Sequence, residues 1–217
     1  MLRVDRKGIG RLIRLLGLVT SMPLLAGCIA SYSVSPEVDS GNLRPSEKRV
    51  PLYYHIDPLA LLEKVRFEQS IGVHRLPLDP STPTYADFEE LRSAFLKGQV
   101  VAEMIEAQAP PKHGMFCSVD VTTKPHSNTA GFFQIITFVS IGFIPSYSGE
   151  SGYIVRYDLY VDGELKKRYV YDITRQLSVW LGLLPFIWVN AVTPSDGEAL
   201  ASTGDGFFRD AKRDGFF

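Results

Sequence analysis

Residues 152–173 read GYIVRYDLYVDGELKKRYVYDI, two alternating runs joined at Asp162-Gly163, and no other stretch limits the fold as tightly. In the first run Tyr153, Val155, Tyr157, Leu159 and Val161 share a face; in the second, Leu165, Tyr169, Tyr171 and Ile173 do. Asp-Gly between such runs signals a β-hairpin. A two-residue turn would pair residues whose numbers sum to 325, setting odd against even and Tyr157 opposite Arg168. The patterning therefore predicts a three-residue loop, Val161-Asp162-Gly163, with Gly163 left-handed in a G1 bulge, so that Leu159 meets Leu165 and Val155 meets Tyr169. Tyr153, Tyr157, Tyr169 and Tyr171 then share one face. They read either as sheet core with phenolic tips at its rim, the preferred reading, or as a recognition surface for peptide or glycan.

Two further strands precede the hairpin. In 115–123, Cys117, Val119 and Val121 alternate with Ser118, Asp120 and Thr122, which makes Cys117 a small buried hydrophobe. FFQIITFVSIGF, 132–143, is apolar on both faces, as in a central strand. Upstream, Val50, Leu52, Tyr54 and Ile56 alternate with Pro51, Tyr53 and His55, and Pro51 points to a sheet edge. Asp57-Pro58 starts a helix that Gly72 can end, and the proline-rich stretch to Thr84 reads as an ordered surface loop. Thr84 caps a second helix with Asp87 at its third position. Phe88, Leu91, Phe95, Gly98, Ala102, Ile105 and Ala109 follow at helical spacing until Pro110-Pro111. Gly98 marks either a close approach to the sheet or a break into two helices.

LSVWLGLLPFIWVNAV, 177–192, is uncharged, holds both tryptophans of the chain and is interrupted by Pro185. It is too short to span a bilayer. It reads as a strand or helix buried under the sheet, with a membrane-dipping loop carrying interfacial Trp180 and Trp188 as the alternative. Ser195 then caps a short last helix with Leu200, Phe207, Phe208 and Ala211 on one side. The expected fold is α+β: an antiparallel sheet of about four strands packed against the 84–109 helix, with the apolar segment and terminal helix after it.

The chain begins differently. Residues 1–14 are basic, 15–27 are apolar and uncharged, and Ala26-Gly27 precede Cys28. Thirteen residues make roughly 20 Å of helix, short of a span, so the run is the apolar part of a signal peptide. Leu25-Ala26-Gly27-Cys28 resembles the lipobox of bacterial lipoproteins. That resemblance implies cleavage before Cys28, diacylglycerol on its sulfur and acylation of the new amino terminus. More than one acyl chain is what stable anchoring requires. Ile29, where inner-membrane lipoproteins of Gram-negative bacteria tend to carry Asp, resembles outer-membrane members and implies an outer-membrane protein facing the periplasm. With Cys28 acylated, Cys117 has no partner in the chain. Residues 28–49, rich in Ser, Pro and Gly, read as a flexible tether with an r.m.s. span of roughly 25 Å, and 50–217 as one domain. Within about 110–190, the order TFVSIGFIP, YIVRYDLYVDGELKKRYVYD, WLGLLPF resembles a recurring arrangement in small bacterial lipoproteins of unknown function, which implies a fold and no activity.

Chemistry is hard to find. Net charge is −1, and without residues 1–27 it becomes −5, with 18 basic and 23 acidic groups, which excludes a nucleic-acid reader built on a basic face. His55, His74, His113 and His126 share no metal-ligand spacing, and there is no GxSxG or P-loop. Asp57, Asp120 and Asp158 read as capping or solvated residues. No cofactor, metal site or catalytic residue is expected, and Cys28, as the lipidation site, is the only site residue. The sequence thus points to a non-enzymatic, lipid-anchored envelope protein that binds, assembles or supports a protein partner in the envelope. The rivals are a membrane-anchored hydrolase with scattered residues and a lipid-handling protein.

Overall fold

The computed structural model describes residues 27–36, 51–71, 83–97, 101, 103–124, 132, 135–137, 139–140 and 143–217. They belong to two compact units. One comprises Met1–Ala30, Ser127–Ser148 and Gln176–Thr193; the other comprises Ser31–His126, Gly149–Arg175 and Pro194–Phe217. Of the expected leader only Gly27 is described. Residues 28–35 of the expected tether pair into the sheet, and 37–49 lie outside the described residues.

The elements in chain order are β1 (Gly27–Ser35), β2 (Leu52–His55), α1 (Pro58–Ile71), α2 (Tyr85–Leu96), β3 (Met104–Glu106), β4 (Met115–Thr123), β5 (Ser146–Val161), β6 (Glu164–Trp180), a 3-10 run (Leu181–Ala191) and α3 (Asp196–Arg213). The fold is α+β, but the four-strand antiparallel sheet against one long helix is not what forms. Six described strands run in the order β1-β6-β5-β4-β2-β3. The sheet is mixed, because β2 pairs parallel with both β3 and β4 while β4 and β5 are antiparallel. Helices α1 and α2 lie between β2 and β3, and such a crossover lets the chain return in the same direction. β2 is therefore interior. Pro51 sits just ahead of its first residue, where it costs no ladder bond.

The 84–109 helix is corrected in the same way. Its start is as expected: the Asp87 amide donates to Thr84 Oγ1 at 3.4 Å and the Thr84 amide to Asp87 Oδ2 at 2.6 Å. Phe88, Leu91 and Phe95 are buried, but α2 ends at Leu96 with Lys97 as its cap. Beyond that point the helical spacing rests mainly on small residues, which supply little apolar area. Met104–Glu106 pairs with Leu52–Tyr54 instead, and the Leu52 amide donates to Glu103 O at 2.9 Å. The 132–143 strand fails too. Phe132, Ile135–Thr137 and Val139 are helical, and the Ser140 amide donates to Ile136 O at 2.9 Å. A continuous apolar run does not distinguish strand from helix by periodicity.

The hairpin keeps its faces and changes its turn. Asp162 (φ 53°) and Gly163 (φ 80°) form a two-residue turn, not the three-residue loop. Asp tolerates the left-handed region, and Asp162 is held there by the Gly114 amide, which donates to its Oδ1 at 2.9 Å. Odd residues of both strands are still buried, from Tyr153 to Leu159 and from Tyr169 to Ile173. A two-residue turn cannot deliver that without a one-residue offset in the ladder. Arg168 already faces Asp158 in a bidentate pair, so the offset is complete by Arg168.

The odd face of β4–β6 carries the core of its unit. Phe95 and Phe208 meet at a tilt with centroids 4.9 Å apart, Phe207 stacks on Tyr157 at 4.9 Å, and Tyr169 meets Phe207 edge-on at 5.5 Å. α3 supplies Phe207 and Phe208. It is the longest described helix, not a short one, capped at its start by Ser195 and Glu198. At its end Gly215 (φ 84°) closes a Schellman turn, in which the Phe216 amide donates to Ala211 O and the Gly215 amide to Lys212 O. Within β5, Gly152 (φ 146°) lies where a Cβ would fall 1.9 Å from the Ile173 carbonyl oxygen, so only glycine fits. Cys117 is fully buried and, among the described residues, forms no disulfide with Cys28.

Candidate functional site

Cys28 is the second residue of β1 and is half-buried. Its neighbour is Asn190, near the end of the 3-10 run. The Asn190 side-chain amide donates through Nδ2 to the Cys28 carbonyl, and its Oδ1 accepts from the Ala30 amide at 3.1 Å. One side chain thus satisfies a carbonyl and an amide two residues apart, as a neighbouring peptide would. Asn190 is itself positioned by the turn that follows it, where the Val192 and Thr193 amides both donate to Val189 O at 3.0 Å.

The unit that holds this clip exposes large apolar side chains. In the same unit Trp180, Phe186, Trp188, Val139 and Phe143 are exposed, Trp188 to 62% and Val139 to 75%. The buried placement expected for 177–192 is therefore corrected: Leu177 is buried, but the 3-10 run is partly or fully exposed where its side chains are described. Among the described residues no helix is long and apolar enough to cross a membrane.

Ser31 onward, β1 belongs to the other unit and is held there by a buried polar group. The Arg175 guanidinium lies over the Tyr32 ring, 5.9 Å from its centroid, and Arg175 is buried. Burial pushes the Tyr32 phenol well above its ordinary value, and the charge of Asp196 adds to this. Ser33 Oγ donates to Thr174 O at 3.5 Å.

The remaining candidates resolve as structure. Tyr153, Tyr157, Tyr169 and Tyr171 are buried and do not form a recognition surface. Tyr171 Oη donates to Asp210 Oδ2 and Tyr169 Oη to Asp214 Oδ2, both at 2.7 Å, and Tyr157 Oη lies 2.7 Å from Thr203 Oγ1. Burial raises all three phenols far above neutrality, so they act as neutral hydrogen-bond groups. The bond from Lys167, then that from Tyr169, holds the Asp214 carboxyl below the usual carboxylate range. On the even face of the sheet each carboxylate has a cation: Asp120 bonds Lys64 and lies 3.6 Å from Arg156, Asp158 takes both bonds of Arg168, and Asp172 bonds Lys124. Asp57 caps α1, accepting from the Leu59 and Ala60 amides. His113 is exposed at 94% of its side chain, while His74 and His126 lie outside the described residues. Among the described residues no three His, Cys, Asp or Glu side chains gather as a metal site. Burial pushes the Cys117 thiol well up, which suits a packing residue rather than a nucleophile.

Comparison with protein-family models, curated proteins and solved structures finds no match. Of the residues that make this site, the sequence pointed to Cys28 alone. Asn190, Tyr32 and Arg175 meet their partners across more than 140 positions and leave no local pattern. The exposed apolar surface did leave one, the complete lack of charge in 127–148 and 176–193.

Proposed function

We propose that the protein is a non-enzymatic envelope lipoprotein. It is cleaved before Cys28, acylated there and held at the outer membrane facing the periplasm, where it serves as a binding, assembly or structural component. The observation that carries this reading is Leu25-Ala26-Gly27-Cys28 directly after a basic segment and a short apolar run. Among the described residues, Asp120, Asp158 and Asp172 are each engaged by a Lys or Arg, which favours a structural over a catalytic role for these three carboxylates.

Metabolic labelling with a clickable fatty acid, on wild type and Cys28→Ala, followed by membrane fractionation, tests the anchor. Label and outer-membrane recovery should both disappear in Cys28→Ala. An unlabelled wild type would end the proposal. Crosslinking in cells then tests the partner, and recovery of no envelope protein would count against a binding role.

A further inference from the structure

We infer that the uncharged segments 127–148 and 176–193 form a face that lies on the bilayer surface, with Trp180 and Trp188 at headgroup level. This rests on Cys28 being the acylated residue and adds a second point of contact to it. Three observations carry the inference. The 22 residues of 127–148 and the 18 of 176–193 hold no Asp, Glu, Lys or Arg, in a chain that is 22% charged. Their described residues belong to one compact unit, and large apolar side chains of both segments are exposed there, among them Val139, Phe143, Phe186 and Trp188. Single apolar residues are ordinary on a protein surface, but this many large ones in segments without a single charge mark a contact.

The third observation chooses the occupant. Asn190 is bonded to the backbone of Cys28 and Ala30, so the end of the 3-10 run is held beside the anchor point. Acyl chains on Cys28 enter the bilayer, and that residue must then sit at the headgroup boundary. Trp188, two positions from Asn190 and exposed, cannot be far from the same boundary. Tryptophan favours that depth, because an apolar ring with one N–H suits a layer that is apolar on one side and wet on the other. The length of the segment and Pro185 keep it from crossing, so it lies along the surface.

Trp180 and Trp188 are the two tryptophans of the chain, so its indole emission reports on this face alone. The test uses the protein purified from membranes, with acylation of Cys28 measured on the same preparation. It is reconstituted into phosphatidylethanolamine–phosphatidylglycerol vesicles with and without brominated acyl chains. Emission should shift to the blue, fall by about half with brominated lipid and resist aqueous iodide. Trp180→Phe and Trp188→Phe, which keep an aromatic ring, should each leave one quenchable emitter.

Acylated protein whose tryptophans are quenched by iodide and untouched by brominated lipid would overturn the docking face while leaving the anchor standing. Unacylated protein that is still quenched by brominated lipid would uphold the face and remove the anchor. A blue shift that follows protein concentration in the absence of lipid, with a doubling of mass, would assign the face to a second copy and overturn the inference.

Discussion

The even face of β4–β6 and the described residues of 127–148 and 176–193 both reach solvent, and they are made in opposite ways. On the sheet face, Asp120, Asp158 and Asp172 alternate with neutral residues and each is matched by Lys or Arg. Such surface pairs add little stability; they make a surface suited to water. The uncharged segments present Trp, Phe and Val with no ion among them. Exposure alone therefore does not say what a surface faces. Whether the chain placed charges along it does.

The contrast is sharpest where substitutions separate folding from surface role. Phe207 lies between Tyr157, Tyr169 and Phe208, so Phe207→Ala should cost about 3–5 kcal/mol in denaturant unfolding. Gly152→Ala sets a methyl against the Ile173 carbonyl and should cost at least about 2 kcal/mol by the same measurement. A smaller effect is expected from pH. The Asp214 carboxyl is held below its usual range by Lys167 and Tyr169. Its contribution is present above the unfolded carboxylate value and is lost as pH falls through the depressed folded value. Asp214→Asn should accordingly flatten the acid limb of the stability profile. Trp188→Ser should have the least effect on stability, within about 0.5 kcal/mol. A large loss there would mean that Trp188 supports the fold, and the contrast between the two surfaces would fail.

Much of the fold was legible where local chemistry decides it. Thr84 with Asp87 and Ser195 with Glu198 close capping boxes, and the period-two runs of β4, β5 and β6 bury most of the odd residues read from them, while Val161 is half-buried and Leu165, close to the turn, is exposed. The turn was misread because Asp162 takes a left-handed conformation and the parity conflict is absorbed between the turn and the Asp158–Arg168 pair. β3 was hidden because three residues carry no period, and only the partner Leu52–Tyr54 makes them a strand. The apolar segments misled for a physical reason. A core strand, a core helix and a membrane-facing surface all exclude charge, so composition alone does not separate them. The proposal for Cys28 rests on a contiguous motif that the sequence displays, whereas its hydrogen-bond partner Asn190 sits 162 positions away and leaves no such trace.

The most direct test of the account is the intact mass of the protein purified from membranes. The account predicts a chain that begins at Cys28 and carries diacylglycerol and an amide-linked acyl chain, with Cys117 unmodified. An unacylated mass, whether of the full chain or of a chain cut elsewhere, would contradict it.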